Sequence, residues 1–120
     1  MKPYQDARVE GEKLAKQYAE LEKADQVDFY NGLEGYYSVL GHNKKQEAIA
    51  VLIEKNEHKI YVYQLDKGIS QDKAATISRE KGASDIDKVT FGRYQDKPIW
   101  EVKSGNHYYL VDFETGAVIQ

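Results

Sequence analysis

The segment that most restricts how this chain can fold is its last dozen residues. Tyr109-Leu110-Val111-Asp112-Phe113 alternates like a half-buried strand, a polar turn closes on Thr115-Gly116, and Ala117-Val118-Ile119 is a second short apolar run. A period of two is the strand signal, and Asp with Thr-Gly is turn chemistry. A helix and two further strand candidates precede this ending. A looser version of the same order, helix then strands, fills the first half.

The first helix is predicted over Pro3–Ala24, with Ala7, Gly11, Leu14, Tyr18 and Leu21 recurring on one face. Pro3 suits a first turn, and Glu12 with Lys16 forms a favourable i,i+4 pair. Gly11 lies on the apolar stripe; it marks either a close approach of another backbone or an ordinary tolerated glycine. Strands are predicted at Val27–Tyr30, Tyr36–Leu40, Ala48–Ile53 and Lys59–Leu65, separated by short segments rich in turn residues, which favours an antiparallel meander. Asp66-Lys67-Gly68 is the boundary. A second helix over about Gln71–Lys81 follows, with Ser70 as N-cap, Asp72 in the first turn and Gly82 as stop. Strands resume at Asp87–Tyr94, Ile99–Lys103, His107–Phe113 and Ala117–Ile119, and Tyr109, Val111 and Phe113 are expected to face the helix. The result is an α+β tandem. Two units of about 60 residues are each small for independent stability, so they are expected to share an interface.

The chemistry in the sequence is sparse. Seventeen basic and 20 acidic residues are interspersed, for a net charge of −3, without the basic run of a nucleic-acid binder. Absent cysteines exclude disulfides and thiolate metal sites. His42 and His58 fall in predicted turns and His107 begins a strand; no pair has helical zinc-protease spacing. No Gly-rich phosphate loop and no Gly-x-Ser-x-Gly elbow is present, so no cofactor, metal or catalytic set is assigned. Asp112 and Glu114 could hold a cation or act as an acid/base pair, but the Thr115-Gly116 turn directly after them favours an Asp112 that organises the turn through backbone amides.

The tyrosines are the remaining signal. Ten in 120 residues are many, and most lie on predicted strands. They either cover the sheets or form an exposed aromatic patch that docks a protein partner. Tyr36, Tyr37, Tyr94, Trp100 and Tyr108 are the candidate contact residues, on the Trp100 strand, the Tyr36–Leu40 strand and their neighbours.

Residues 69–119 resemble a PepSY domain. The likeness rests on Ile69-Ser70-Gln71-Asp72-Lys73-Ala74-Ala75 as helix start, on Trp100-Glu101-Val102 as a middle strand, and above all on the ending from Tyr109 to Ile119. Residues 4–65 resemble the companion domain that precedes PepSY in the YpmB, or TseB, proteins of Gram-positive bacteria. The resemblance implies two tandem cystatin-like units, over 1–66 and 67–120, each one helix on an antiparallel sheet of three to four strands. It further implies a non-enzymatic module at the extracellular face of the cytoplasmic membrane, held by an anchor helix this sequence lacks and associated with wall elongation through a penicillin-binding protein. The alternative it leaves is a peptidase-inhibitor or propeptide-like regulator. It supplies no catalytic residues.

Overall fold

The computed structural model describes residues 3–57 and 59–119, with side chains of the first helix from Val9 onward. It divides into two compact units, Met1–Leu65 and Asp66–Gln120. The architecture is α+β, with two helices and two antiparallel sheets.

In the first unit α1 (Pro3–Tyr18) is followed by β1 (Leu21–Asn31), β2 (Gly35–Asn43), β3 (Ala48–Glu54) and β4 (Ile60–Gln64), paired in sequence order. The helix is shorter than its periodicity predicts. It stops at Tyr18, Glu20 takes a left-handed φ of 56°, and Leu21 opens a strand instead of a last helical turn. Tyr18 is consequently exposed, whereas Leu21 is buried in the core. The inner face is set by small residues one turn apart, Gly11 and Ala15, with Leu14 and Ala19 beside them. A Cβ on Gly11 would sit 3.2 Å from the Cβ of Tyr37, so what comes close there is a tyrosine of β2, not another backbone. Val27, Val39, Ile49, Val51 and Ile53 complete the core beneath the helix. The face of the sheet away from α1 carries a row of tyrosines, with Tyr30 against Tyr36 and Tyr36 edge-on to Tyr61.

The second unit runs from a short 3-10 turn (Leu65–Lys67) into α2 (Gln71–Glu80), β5 (Lys88–Tyr94), β6 (Lys97–Ser104) and β7 (His107–Asp112). Ser70 caps α2 by accepting the amide of Lys73 at 3.0 Å. Gly82, at φ 113°, ends it, while the amide of Ala83 reaches back to the carbonyl of Ser78, closing the helix in a Schellman arrangement. The β5–β6 turn is tighter than the predicted Gln95–Pro98 loop. Gln95 and Asp96 both adopt positive φ, and β6 begins at Lys97. The predicted strand Ala117–Ile119 contracts to a single bridge, Val118 to Val111, flanked by backbone bonds from Asp112 to Ala117 and from Ile119 to Leu110. The sheet therefore has three strands.

Its core is an aromatic triangle. Phe91, Trp100 and Phe113 meet edge-to-face with centroids 4.9, 5.2 and 6.4 Å apart, a geometry that adds to simple burial. The Trp100 indole donates to the carbonyl of Ile69 at 3.0 Å, and the amide of Ile69 donates to the carbonyl of Phe113 at 2.8 Å. The residue before the cap is thus tied to the sheet twice, which fixes where α2 starts. Ala74 and Ser78 are the fully buried positions on its inner face.

Candidate functional site

Of the five candidate contact aromatics, the structure removes three from the surface. Trp100 is 1% exposed, Tyr36 2% and Tyr37 7%. Their positions explain why. Trp100 lies on the central strand of a three-stranded sheet, on the face toward α2, and β2 is central in its own sheet. Strand alternation alone could not say which face a helix would cover. Tyr94 is half-exposed near the end of β5. Tyr108 is 55% exposed, opposite Lys103 on β7, the last strand of its sheet.

Asp112, Thr115 and Gly116 form one compact turn. Asp112 Oδ1 accepts the amides of Glu114 at 2.8 Å and Thr115 at 3.0 Å. The amide of Gly116 reaches the Asp112 carbonyl at 2.8 Å, Gly116 itself takes φ 82°, and Thr115 Oγ1 accepts the amide of Ala117 at 3.1 Å. One carboxylate oxygen thus holds two backbone donors, the arrangement of an Asp that organises its turn.

His42 lies inside β2 rather than in a turn, its Nδ1 2.9 Å from Asp25 Oδ2; Lys23 Nζ is 3.9 Å from the other oxygen of the same carboxylate. His107 opens β7. His58 and the side chain of Ala7 lie outside the described residues. Among the described residues no group of three or more His, Asp or Glu side chains converges on a metal position. No helix among them is long and apolar enough to cross a membrane.

One half-exposed cluster escaped the sequence reading. Phe29 on β1, 38% exposed, stands edge-on to Tyr37 at 5.7 Å, and Lys55 Nζ lies 5.4 Å from the centroid of the Phe29 ring. Tyr37 donates in turn to Glu10 Oε1 on α1 at 3.0 Å. Burial, then the hydrogen bond and charge of Glu10, push its phenol above the ordinary value. Gly35 makes room for the cluster, since a Cβ there would fall 2.8 Å from the tip of the Phe29 ring. The result is a partly exposed apolar ring with a buried tyrosine edge-on to it and a cation near its centroid. Rigid, partly exposed aromatics of this kind carry binding energy in protein interfaces. The available signal was Phe29 sharing strand parity with Val27, which alone does not separate a covered residue from a marginal one.

The sequence model of the cell wall elongation regulator TseB-like domain matches residues 10–54, the stretch that contains Glu10, Phe29, Gly35 and Tyr37. The chain is 35% identical over 113 residues to the probable cell wall elongation regulator TseB of Bacillus subtilis strain 168, covering 88% of this chain and 70% of that protein. It superimposes on the solved YpmB protein from Bacillus subtilis with a TM-score of 0.78 and 31% identity, over 100% of this chain and 96% of that one.

Proposed function

This chain belongs to the TseB family of cell wall elongation regulators, and from that premise we propose that it acts by contact, binding a membrane-bound wall-synthesis enzyme of the penicillin-binding class and adjusting its activity or lifetime. In this reading the two units are cystatin-like, the second of them PepSY-like, and they stand at the outer face of the cytoplasmic membrane on an anchor helix outside this sequence. No bond-making chemistry is required of the protein. The observation that carries the reading is the 35% identity to a protein named as a wall-elongation regulator, sustained over most of the chain.

The contact surface is assigned to the exposed Phe29 ring and the Lys55 beside it in the first unit, with the exposed Tyr108 and the half-exposed Tyr94 in the second. Phe29 packs edge-on against Tyr37, which is itself hydrogen-bonded to Glu10, so its ordering cost on binding is small. The test is capture of the membrane-tethered protein from cross-linked cells of its source, with the co-purifying proteins identified by mass spectrometry. A penicillin-binding protein should be recovered, and Phe29→Ala should lower its yield about tenfold, as loss of an interface anchor does, in a protein that circular dichroism shows is still folded. Recovery of no wall-synthesis enzyme by the unaltered protein would sink the proposal; undiminished recovery by the variant would move the contact surface elsewhere.

A further inference from the structure

The two outer strands of the first sheet are built differently. β1 meets β2 through two register shifts, between Leu21 and Lys23 and between Ala24 and Gln26, and it carries Glu22, Lys23, Asp25 and Asp28. Bulges and charges are the devices by which sheets discourage further strand pairing. β4 has neither. It pairs with β3 through five consecutive partners, Ile49 with Gln64 through Ile53 with Ile60, without a shift. Its sequence, Ile60-Tyr61-Val62-Tyr63-Gln64, has no charge, proline or glycine. Val62 at its centre is 48% exposed.

The centre of this strand also reads the same in both directions, as Tyr61-Val62-Tyr63. We propose that β4 pairs antiparallel with β4 of a second copy of this chain, on a two-fold axis through Val62. That register sets Val62 opposite Val62, sets Tyr61 opposite Tyr63 of the copy twice over, and sets Ile60 opposite Gln64. Aromatic pairs directly across an antiparallel ribbon are favourable contacts, and a two-fold interface demands this self-complementarity. The union joins two four-stranded sheets into one, with both α1 helices on the same face. An unrelated strand could satisfy the backbone, but only a second copy uses the symmetry of the side chains. The inference stands independently of the regulatory reading above.

A ribbon this short buries less surface than a standard stable interface, so the dimer is weak and forms at high protein concentration. The absence of native cysteine permits a clean test of register. Opposed Val62→Cys thiols lie within reach of a disulfide. Two Gln64→Cys thiols would be separated by four residues along the ribbon, about 13 Å at strand rise, too far to bridge. Under mild oxidation Val62→Cys should cross-link at least about tenfold faster than Gln64→Cys; equal rates, or a Val62→Cys protein that stays monomeric, would overturn the proposal. Sedimentation equilibrium supplies the reversible measurement. The unaltered chain should self-associate below about 1 mM, and Val62→Lys should raise the dissociation constant at least about tenfold with its melting temperature kept. A chain that remains monomeric throughout that range, or a Val62→Lys variant that associates as before, refutes it.

Discussion

Both units lay one helix on an antiparallel sheet, but they close the joint with different materials. In the first, the helix comes down on small residues, Gly11 and Ala15, and the bulk is supplied from the sheet by Tyr37 and a set of branched aliphatics. In the second, three large aromatics fill the core, and the helix is fastened by its entrance: Ser70 caps it and Ile69 is bonded to both Trp100 and Phe113. A joint made of small residues spreads its energy over many modest contacts. A joint made of an aromatic triangle concentrates it, so single substitutions there should be far more damaging.

The most severe test of that contrast is Trp100→Ala. It removes the largest fully buried side chain, empties the middle of the triangle and leaves the Ile69 carbonyl without its donor. A cost of about 4 kcal/mol is expected for truncating a buried aromatic of this size. Thermal denaturation followed by far-UV circular dichroism should show a large fall in stability. A loss under about 1 kcal/mol would mean that the triangle is not what holds the second unit together.

Asp112→Ala comes next. The side chain is almost wholly buried and accepts two backbone amides, and bonds of that kind to a carboxylate give an expected loss of about 2 kcal/mol. Trp100 is the only tryptophan in the chain, so its emission reports unfolding of the unit that contains Asp112. A variant with the melting curve of the unaltered protein would return the Asp112–Glu114 pair to consideration as a ligand or acid/base site.

The same contrast governs what could be read from sequence. The second helix announces itself with local chemistry, Ser70 before it and Gly82 after it, and its observed span of Gln71–Glu80 nearly coincides with the predicted one. The first has no such stop. Its apolar spacing passes through Tyr18 to Leu21 without interruption, and the chain turns at Glu20, a residue that rarely takes positive φ. Periodicity therefore carried the predicted helix to Ala24, into what is β1. The strand order and hairpin connections were legible because turn residues separate every strand. The exposure of individual aromatics was not, because alternation assigns a side chain to a face and only packing decides whether that face is covered. Tyr36, Tyr37 and Trp100 were lost as contact candidates for this reason, and Phe29 was overlooked for the same one.

Glu20→Gly probes the unread stop directly. A non-glycine residue in the left-handed region is penalised by about 1–2 kcal/mol, part of which glycine gives back through its greater freedom in the unfolded chain. A net stabilisation of about 0.5–1 kcal/mol is expected, measured by chemical denaturation. No gain would indicate that the Glu20 side chain contributes something its exposed position does not suggest. The small-residue joint of the first unit would then be better fastened than its sequence implies.

The smallest effect concerns a charge on the second sheet. Glu101 sits on β6 between Thr90 and Leu110, on the face away from α2. Partial burial raises its carboxyl above the usual range, and Lys88 nearby opposes that shift. A carboxyl raised on folding binds its proton more tightly in the native state. Stability from this group is therefore greatest in acid and declines as pH climbs from the unfolded value through the folded one, the reverse of a salt-bridged carboxylate. Glu101→Gln should remove that decline. Because the group remains partly in contact with water, screening keeps the gain at pH 7 small, and it should vanish near pH 4. Melting temperatures of the two proteins measured side by side from pH 4 to 8 would show the curves converging on the acid side. Divergence there instead would mean that Lys88, not burial, dominates the site, and that this face of the second sheet is held by an ion pair.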